Sequence, residues 1–289
     1  MSEPFADFVG VTVDVSEWPD LRGDLFPLLD GLGMSVEVDE ARKLIWRSDC
    51  GNGTVKASRF AQVWSLGCSG TVCAGLRLRG MFNAYLSAIG SRPHKVTRLD
   101  ASLDRQVDAP PVIQAMAAKG RAGQVSLTRK AIKPRDVRTI LSPRDSDGEL
   151  TGTAYFGPRR ADAQMVMYDK QEERLSRGMP DCGPLLRYEI HLRAQCGVTL
   201  RDCAEPAAVF WHYASPDFLP APPDAPVWTP YGSGFVPTPA DVLFPAERLR
   251  RRVDASPDVK ALLDLTREVG PYGFDFLVSL LRKRGGFEP

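Results

Sequence analysis

Two segments of this chain alternate between apolar and polar side chains so regularly that they restrict the fold more than any other feature of the sequence. They are residues 96–104 and residues 185–193. Strict alternation is typical of a strand that buries one face and leaves the other polar, as in antiparallel sheets. We therefore predict two strands of one antiparallel sheet. Their apolar positions include Leu99, Ala101 and Leu103 in the first segment, and Leu186, Tyr188, Ile190 and Leu192 in the second.

The remaining patterns fit the same architecture. Residues 34–66 alternate and contain glycines, which indicates β-hairpins. Helical spacing predicts helices near 21–29, over 74–89 with an end at Gly90, and over 110–119. Residues 125–128, 151–156 and 164–170 are further strand candidates, with a turn at 157–160. We expect an α+β fold: an antiparallel β-sheet with flanking helices and a small C-terminal helical tail.

Composition and charge suggest four parts in the 289 residues. Residues 1–30 form an acidic N-terminal segment, and residues 1–40 together carry a net charge of −9 although the whole chain is at +1. Residues 31–214 form the main domain. Nine prolines in 216–245 predict an extended linker over 215–245. Residues 246–289 have apolar residues at helical spacing and form the predicted tail.

Several function classes are excluded by missing motifs. The sequence contains no P-loop, no complete dinucleotide fingerprint, no Gly-x-Ser-x-Gly elbow and no His-Glu-x-x-His. Six scattered cysteines without a Cys-x-x-Cys pair argue against a zinc site and fit a reducing compartment. No apolar run approaches the roughly 20 residues that span a bilayer. We expect a cytoplasmic protein without a membrane partner.

The polar faces of the two alternating strands carry chemistry. One offers Asp100 and Asp104, and the other offers Glu189 and His191. If the strands are neighbours, Asp100, Glu189 and His191 converge, and two carboxylates with an imidazole suit Mg²⁺ or Mn²⁺. The alternative is an ordinary wet sheet face with arginine–carboxylate pairs across the strands.

Tyr168 is a second candidate, within the strand predicted over 164–170. A tyrosine in a strand most often packs. Beside a cation and a metal, however, its hydroxyl can act as a nucleophile on phosphate once its proton is removed. Lys170 is the nearest such cation in the sequence.

A basic stretch follows the third predicted helix. Residues 119–144 contain eight basic residues and one acidic residue, with Arg129, Lys130 and Lys133 at its centre. Such a run is either a solvated loop or a surface that neutralises DNA phosphates.

Four stretches resemble, in order and rough spacing, the trans-acting replication initiators of rolling-circle plasmids and filamentous phages, and related relaxases. They are 63–70 (VWSLGCSG), 97–104 (TRLDASLD), 154–160 (AYFGPRR) with 167–172 (MYDKQE), and 186–193 (LRYEIHLR). The resemblance covers about residues 30–213. Two departures concern the metal ligands: a His-hydrophobic-His motif is missing, and Pro158 stands where relatives often have a small polar residue.

The resemblance implies a metal-dependent DNA nicking-joining endonuclease. Tyr168 would attack one strand at an origin, remain linked to the 5′ phosphate and free a 3′-hydroxyl for rolling-circle replication. Asp100 and Glu189 would hold Mg²⁺ or Mn²⁺, with His191 or Asp104 completing the shell, and Lys170 would stabilise phosphate or tyrosinate. The implied DNA-binding residues are Arg98, Arg159, Arg160 and Arg187. The expected partners are single-stranded or cruciform origin DNA, a host helicase and polymerase, and a second copy of the chain.

Three other functions remain open from the sequence. A conjugative relaxase would use the same chemistry. A non-catalytic origin-binding or repressor protein would need only the basic surface. A nuclease that activates water would not need Tyr168, and Tyr155 and Tyr188 are rival nucleophiles, with Tyr188 on the apolar face.

Overall fold

The computed structural model describes residues 3–49, 52–127, 130–144, 148–214 and 217–230. The α+β class expected from the sequence is the class that the structure shows. In chain order the elements are β1 (Phe5–Asp14), α1 (Trp18–Asp30), β2 (Met34–Glu40), β3 (Lys43–Ser48), β4 (Thr54–Phe60), β5 (Val63–Cys68), α2 (Gly70–Leu78), α3 (Phe82–Gly90), β6 (His94–Arg105), α4 (Ala109–Arg121), β7 (Ser126–Leu127), β8 (Lys130–Ala131), β9 (Val137–Pro143), β10 (Leu150–Phe156), β11 (Ala163–Asp169), α5 (Lys170–Leu175), β12 (Leu186–Arg193), α6 (Leu200–Ala204) and α7 (Ala207–Tyr213).

Ten of these strands form one antiparallel sheet. Their order is β2-β3-β4-β5-β1-β6-β12-β11-β10-β9, and β7 and β8 form a separate pair. The two strands predicted from alternation, β6 and β12, are direct neighbours in the sheet. β1 lies between β5 and β6, near the middle of the sheet. The sheet therefore begins well before the predicted domain boundary at residue 31, and residues 5–14 are an integral part of it.

The two faces of the sheet differ in chemistry. One face is apolar and packs against helices: in β6 and β12 it carries Leu99, Ala101, Ile190 and Leu192, all buried in the hydrophobic core. We call the opposite face the polar face. It carries the odd-numbered residues of β12 from Arg187 to Arg193 and the even-numbered residues of β6 from Arg98 to Asp104. Burial of one face fixes the register, because a slip of one residue would exchange the faces.

Two elements differ from the sequence-based expectation. The helix predicted over 74–89 is two helices, α2 and α3, because the chain turns between Leu78 and Phe82 and Gly80 adopts a left-handed φ of +65°. That conformation disfavours any residue with a Cβ and interrupts a continuous helix. The basic stretch also contains strand β9, which pairs with β10. Residues 137–143 are therefore part of the sheet, and not a solvated loop.

The end of the described chain packs on the domain. Residues 217–230 contain no helix or strand, as expected of a proline-rich segment, but Phe218, Leu219 and Trp228 are buried against the core. This part of the predicted linker is therefore docked. The rest of the linker from residue 231 and the predicted tail over 246–289 lie outside the described residues. Among the helices that the structure describes, none is long and apolar enough to cross a membrane.

Candidate active site

Pairing of β6 with β12 brings the predicted metal ligands together on the polar face. His191 lies opposite Asp100, and Glu189 lies opposite Ser102. One ligand atom from each of Asp100, Glu189 and His191 lies within 4.8 Å of the others. We call these three residues the triad. Residues two apart along a strand share one face of the sheet, and residues opposite each other on paired strands share it too. Once β6 pairs with β12, the three side chains therefore converge.

Hydrogen bonds hold the triad in place. His191 Nε2 lies 2.5 Å from Glu189 Oε1 and 3.9 Å from Asp100 Oδ2. Arg98 donates two hydrogen bonds to Asp100, from Nε to Oδ1 at 2.8 Å and from its terminal nitrogen to Oδ2 at 2.5 Å. Asp100 and Glu189 are only 3% and 8% exposed. Buried carboxylates of this kind need a positive partner.

The protonation of the triad reflects burial and mutual contact. Burial raises the pKa of Asp100 to about 6, against the opposing effects of His191 and Arg98. For Glu189, burial alone would raise the pKa, but the hydrogen bond and charge of His191 outweigh it and the pKa is lowered. Burial lowers the pKa of His191, yet the hydrogen bond to Glu189 and the charge of Asp100 leave it raised. The site thus attracts positive charge.

The donor set of the triad fits a hard divalent cation. Two carboxylates and one imidazole on rigid strands are ligands typical of Mg²⁺ or Mn²⁺ sites. Ser102, directly opposite Glu189, adds a fully buried hydroxyl without a hydrogen-bond partner among the described residues. Buried polar atoms are normally satisfied, so an orphaned hydroxyl beside the triad is consistent with a site that binds a polar or charged group.

Tyr168 lies next to the triad, on β11. Its hydroxyl donates a hydrogen bond to Glu189 Oε2 at 3.1 Å. Burial, followed by the charge of Glu189, raises the pKa of Tyr168 well above its ordinary value. Tyr168 therefore holds its proton in this state, and Glu189 is the group positioned to accept it.

Lys170 is close to Tyr168 but engaged elsewhere. The sequence suggested that Lys170 ends a strand over 164–170, but in the structure it is the first residue of α5. Its Nζ lies 5.6 Å from the centre of the Tyr168 ring and 2.5 Å from Glu173 Oε2. It supplies positive charge beside the ring while being held by its own helix.

Arg187, which the resemblance assigned to DNA binding, lies buried in a network of ion pairs. The residue is 6% exposed, and its guanidinium binds both oxygens of Asp104 at 2.6 and 2.7 Å and Asp7 Oδ2 at 2.8 Å. Burial lowers the pKa of Arg187, but the hydrogen bond with Asp104 outweighs it and leaves it raised. Asp104, the other residue that the resemblance offered for the metal shell, is bound by Arg187 and is not among the three converging residues.

Asp7 is a site residue that sequence analysis missed. The register of β1 against β6 shifts between Ala6 and Phe8, so Asp7 is the extra residue of a β-bulge. A bulge redirects one side chain, and here it directs Asp7 to Arg187. The acidic composition of the N-terminal segment was the only available signal, and it pointed to no individual residue.

A cleft of about 470 Å³ opens on the polar face beside His191. It includes Arg98 and Arg159, two of the predicted DNA-binding residues. Three further lining residues were not named individually as DNA-binding: Arg138 on β9, which belongs to the basic stretch, Tyr155 on β10 and Arg193 on β12.

The other predicted residues lie apart from these contacts. Arg160 is exposed in the turn after β10, Lys130 is exposed in the short strand β8, and Lys133 is exposed just after it. Arg129 lies outside the described residues. Tyr188 is buried in the core, as its alternation predicted, which removes it as a nucleophile.

No family model and no curated protein matches this sequence. Among solved structures, the chain is similar to a rolling-circle replication initiator protein from Geobacillus stearothermophilus. The identity is 18%, the TM-score is 0.45, and the alignment covers 73% of this chain and 85% of that one.

Proposed function

We propose that this protein is a DNA replication initiator that nicks one strand at an origin through Tyr168 and later rejoins it. The observation that carries the proposal is the 3.1 Å hydrogen bond from the Tyr168 hydroxyl to Glu189, a member of a triad suited to a divalent cation. A nucleophile within hydrogen-bond reach of a base that a third group orients is the usual arrangement for covalent catalysis. Here His191 is that third group.

The chemistry is an exchange of one phosphodiester for another. The bond between the tyrosine oxygen and phosphorus forms while the bond from phosphorus to the 3′ oxygen breaks. The phenolic proton passes to Glu189 Oε2, which already accepts its hydrogen bond, and the leaving 3′ oxygen takes a proton from solvent. Because one ester replaces another, the reverse reaction rejoins the strand without ATP, in keeping with the missing P-loop.

Asp100, Glu189 and His191 are the residues that would hold Mg²⁺ or Mn²⁺. When bound, the ion polarises the scissile phosphate and stabilises the charge that develops on it. The strands fix the ligands, Arg98 orients Asp100, and Arg187 holds Asp104 and Asp7 next to them. The charge of Arg187 is the one that lowers the pKa of Tyr168, against the larger effect of burial, and Lys170 places a second positive charge beside the ring.

The four sequence stretches resemble both rolling-circle initiators and related relaxases, so conjugative transfer through the same site is the alternative to replication. Origin DNA is the proposed substrate. A helicase, a polymerase and a second copy of the chain stay predictions from that resemblance.

The test uses a pool of single-stranded oligonucleotides with a randomised centre, incubated with the full chain and Mn²⁺ and then denatured. The wild type should form a protein–DNA adduct that survives denaturation. Tyr168→Phe should form none, because it keeps the ring and loses only the nucleophilic oxygen. Tyr188→Phe, which removes a hydroxyl from the core, is the matched control and should behave like the wild type.

The alternatives give different results. Cleavage by Tyr168→Phe at the wild-type rate, without an adduct, would contradict the proposal and support a water-activating nuclease. Sequence-selective binding without cleavage under either metal ion would contradict it in favour of a non-catalytic origin-binding protein.

A further inference from the structure

Apart from Arg98 and His191, the arginine-lined cleft beside His191 has no part in the chemistry described so far. Its volume of about 470 Å³ lies within the roughly 300–1,000 Å³ of small-ligand pockets. It is large enough for one nucleotide and too small for a duplex. Arg98, Arg138, Arg159 and Arg193 surround it, so its ligand must be an anion.

The cleft also contains an aromatic platform. The Arg138 guanidinium lies over the Tyr155 ring at 4.9 Å, so a cation and a ring are stacked in its wall. Stacked aromatic and guanidinium planes are what unpaired bases bind to, because every base has a π-face. The combination of phosphate-binding charge and a stacking surface matches a nucleotide of a single strand better than a free phosphate.

The backbone holds this arrangement in place. Arg193 donates a hydrogen bond to the carbonyl oxygen of Arg159 at 3.0 Å, and Gln164, buried in the cleft wall, donates one to the carbonyl of Gly157 at 2.8 Å. The turn after β10 is thereby tied to β11 and β12. Arg159 is presented by a fixed turn and does not depend on a free loop.

The cleft and Tyr168 lie on opposite sides of the triad. Along β12, Glu189 contacts Tyr168, and His191 and Arg193 line the cleft. Along β11, Gln164 lines the cleft four residues before Tyr168, a distance of roughly 13 Å in an extended strand. A phosphate at the triad would therefore have the nucleophile on one side and the cleft on the other.

We propose that this cleft binds the nucleotide on the 5′ side of the scissile phosphate, the one that keeps the 3′-hydroxyl after nicking. The inference rests on the proposed function. In an in-line displacement the leaving oxygen departs opposite the nucleophile. With Tyr168 on one side of the triad, the 3′ oxygen and its nucleotide point to the other side, where the cleft is. Bound there, the 3′-hydroxyl stays in position to attack the phosphotyrosine when the strand is rejoined.

The experiment compares two half-oligonucleotides made from the sequence recovered in the covalent adducts. The 5′ half ends with a 3′-hydroxyl at the nick, and the 3′ half begins at the nick with a 5′ phosphate. Affinities are measured by fluorescence anisotropy in the Tyr168→Phe background, where no attachment occurs. Tyr155→Ala should raise the Kd of the 5′ half about tenfold, which is typical when one base no longer stacks on an aromatic ring. The Kd of the 3′ half should change less than twofold.

Two controls separate stacking from folding. Tyr155→Phe keeps the aromatic ring and should bind the 5′ half as tightly as the protein with Tyr155 intact. Phe60→Ala, which removes an exposed ring from β4 on a distant part of the sheet, should leave both affinities unchanged.

The outcomes separate this inference from the proposed function. A tenfold loss confined to the 3′ half, or equal losses on both halves, would overturn the assignment of the cleft while the adduct still formed. Unchanged affinities in Tyr155→Ala would overturn the nucleotide pocket itself. Absence of any adduct in the wild type would overturn the proposed function, and the choice of the 5′ side with it.

Discussion

At the scale of single residues, Glu189 links the parts of the candidate site. One of its oxygens lies against His191 and the other accepts the hydrogen bond of Tyr168. The proposed nucleophile and the proposed metal ligands are therefore coupled through one carboxylate. Removing the charge of Glu189 should disturb both the position of the Tyr168 hydroxyl and the binding of a metal ion by the triad.

We predict that Glu189→Gln weakens Mn²⁺ binding by more than about tenfold, because a neutral amide replaces a charged ligand. Titration calorimetry on the full chain measures the affinity. Glu205→Gln, at an exposed carboxylate that follows the last residue of α6, is the matched control and should bind Mn²⁺ like the wild type. Equal affinities in the two variants would show that the triad is only a wet sheet face.

Arg187 allows a second prediction at this scale. Arg187→Met should destabilise the fold by about 2–4 kcal/mol, because Asp7 and Asp104 stay largely buried without their cation. Urea unfolding followed by circular dichroism gives the change in the free energy of unfolding. If stability were unchanged and only DNA affinity fell, Arg187 would be a DNA contact, as the sequence resemblance first implied.

At the scale of elements, the pairing of β9 with β10 forms one wall of the cleft and depends on Gly152. This residue has a φ of +141°, and a Cβ added to it would lie 2.2 Å from the carbonyl oxygen of Ile140 on β9. Neither the conformation nor the space admits a side chain.

We predict that Gly152→Ala destabilises the protein by about 2 kcal/mol or more, from backbone strain and from the displaced strand. Gly23→Ala provides the contrast: Gly23 lies within α1, and an added Cβ meets nothing within 4 Å. That change should stabilise the protein by about 0.5–1 kcal/mol. Thermal unfolding of both variants checks the pair, and a neutral Gly152→Ala would show that β9 is not held against β10 as described.

The elements also show how far sequence reasoning reaches. Alternation predicted β6 and β12 and the polar face of each, because a period of two fixes which residues share a face. The meeting of Asp100, Glu189 and His191 was predicted only on the condition that the two strands are neighbours, which the structure shows. The same local information did not place Asp7, whose position depends on a bulge formed against β6. The order of strands, with β1 in the middle of the sheet, follows from contacts between distant segments that no periodicity records. The cleft could not be predicted for the same reason, because its residues Arg138, Tyr155 and Arg193 belong to three different strands that meet only in the folded sheet.

At the scale of the whole molecule, the proposed function requires a strand of DNA to cross the polar face between basic groups. Lys130 and Lys133 are exposed at the beginning of the segment that leads into β9. Whether they contact the DNA backbone is open to a direct test by salt dependence.

We predict that reversing the charge of Lys130 and Lys133 makes the salt dependence of binding to single-stranded DNA less steep. The negative slope of the logarithm of the binding constant against the logarithm of the salt concentration should shrink by about 0.7 for each phosphate that the protein no longer neutralises. The Tyr168→Phe background keeps the measurement at equilibrium. Charge reversal of Arg59 on β4, an exposed residue far along the sheet order from β9, serves as the control for a general change in net charge. An identical slope in the lysine variant and the wild type would make the stretch a solvated surface.

The most direct measurement of the central claim is the chemical identity of the protein–DNA linkage. The adduct of the wild type would be digested with protease and nuclease, and the modified peptide sequenced by mass spectrometry. We expect the peptide that contains Tyr168, carrying a nucleotide through its 5′ phosphate, together with a free 3′-hydroxyl on the released strand. A linkage to Tyr155 or any other residue, or a 3′ phosphate on the protein, would contradict the account.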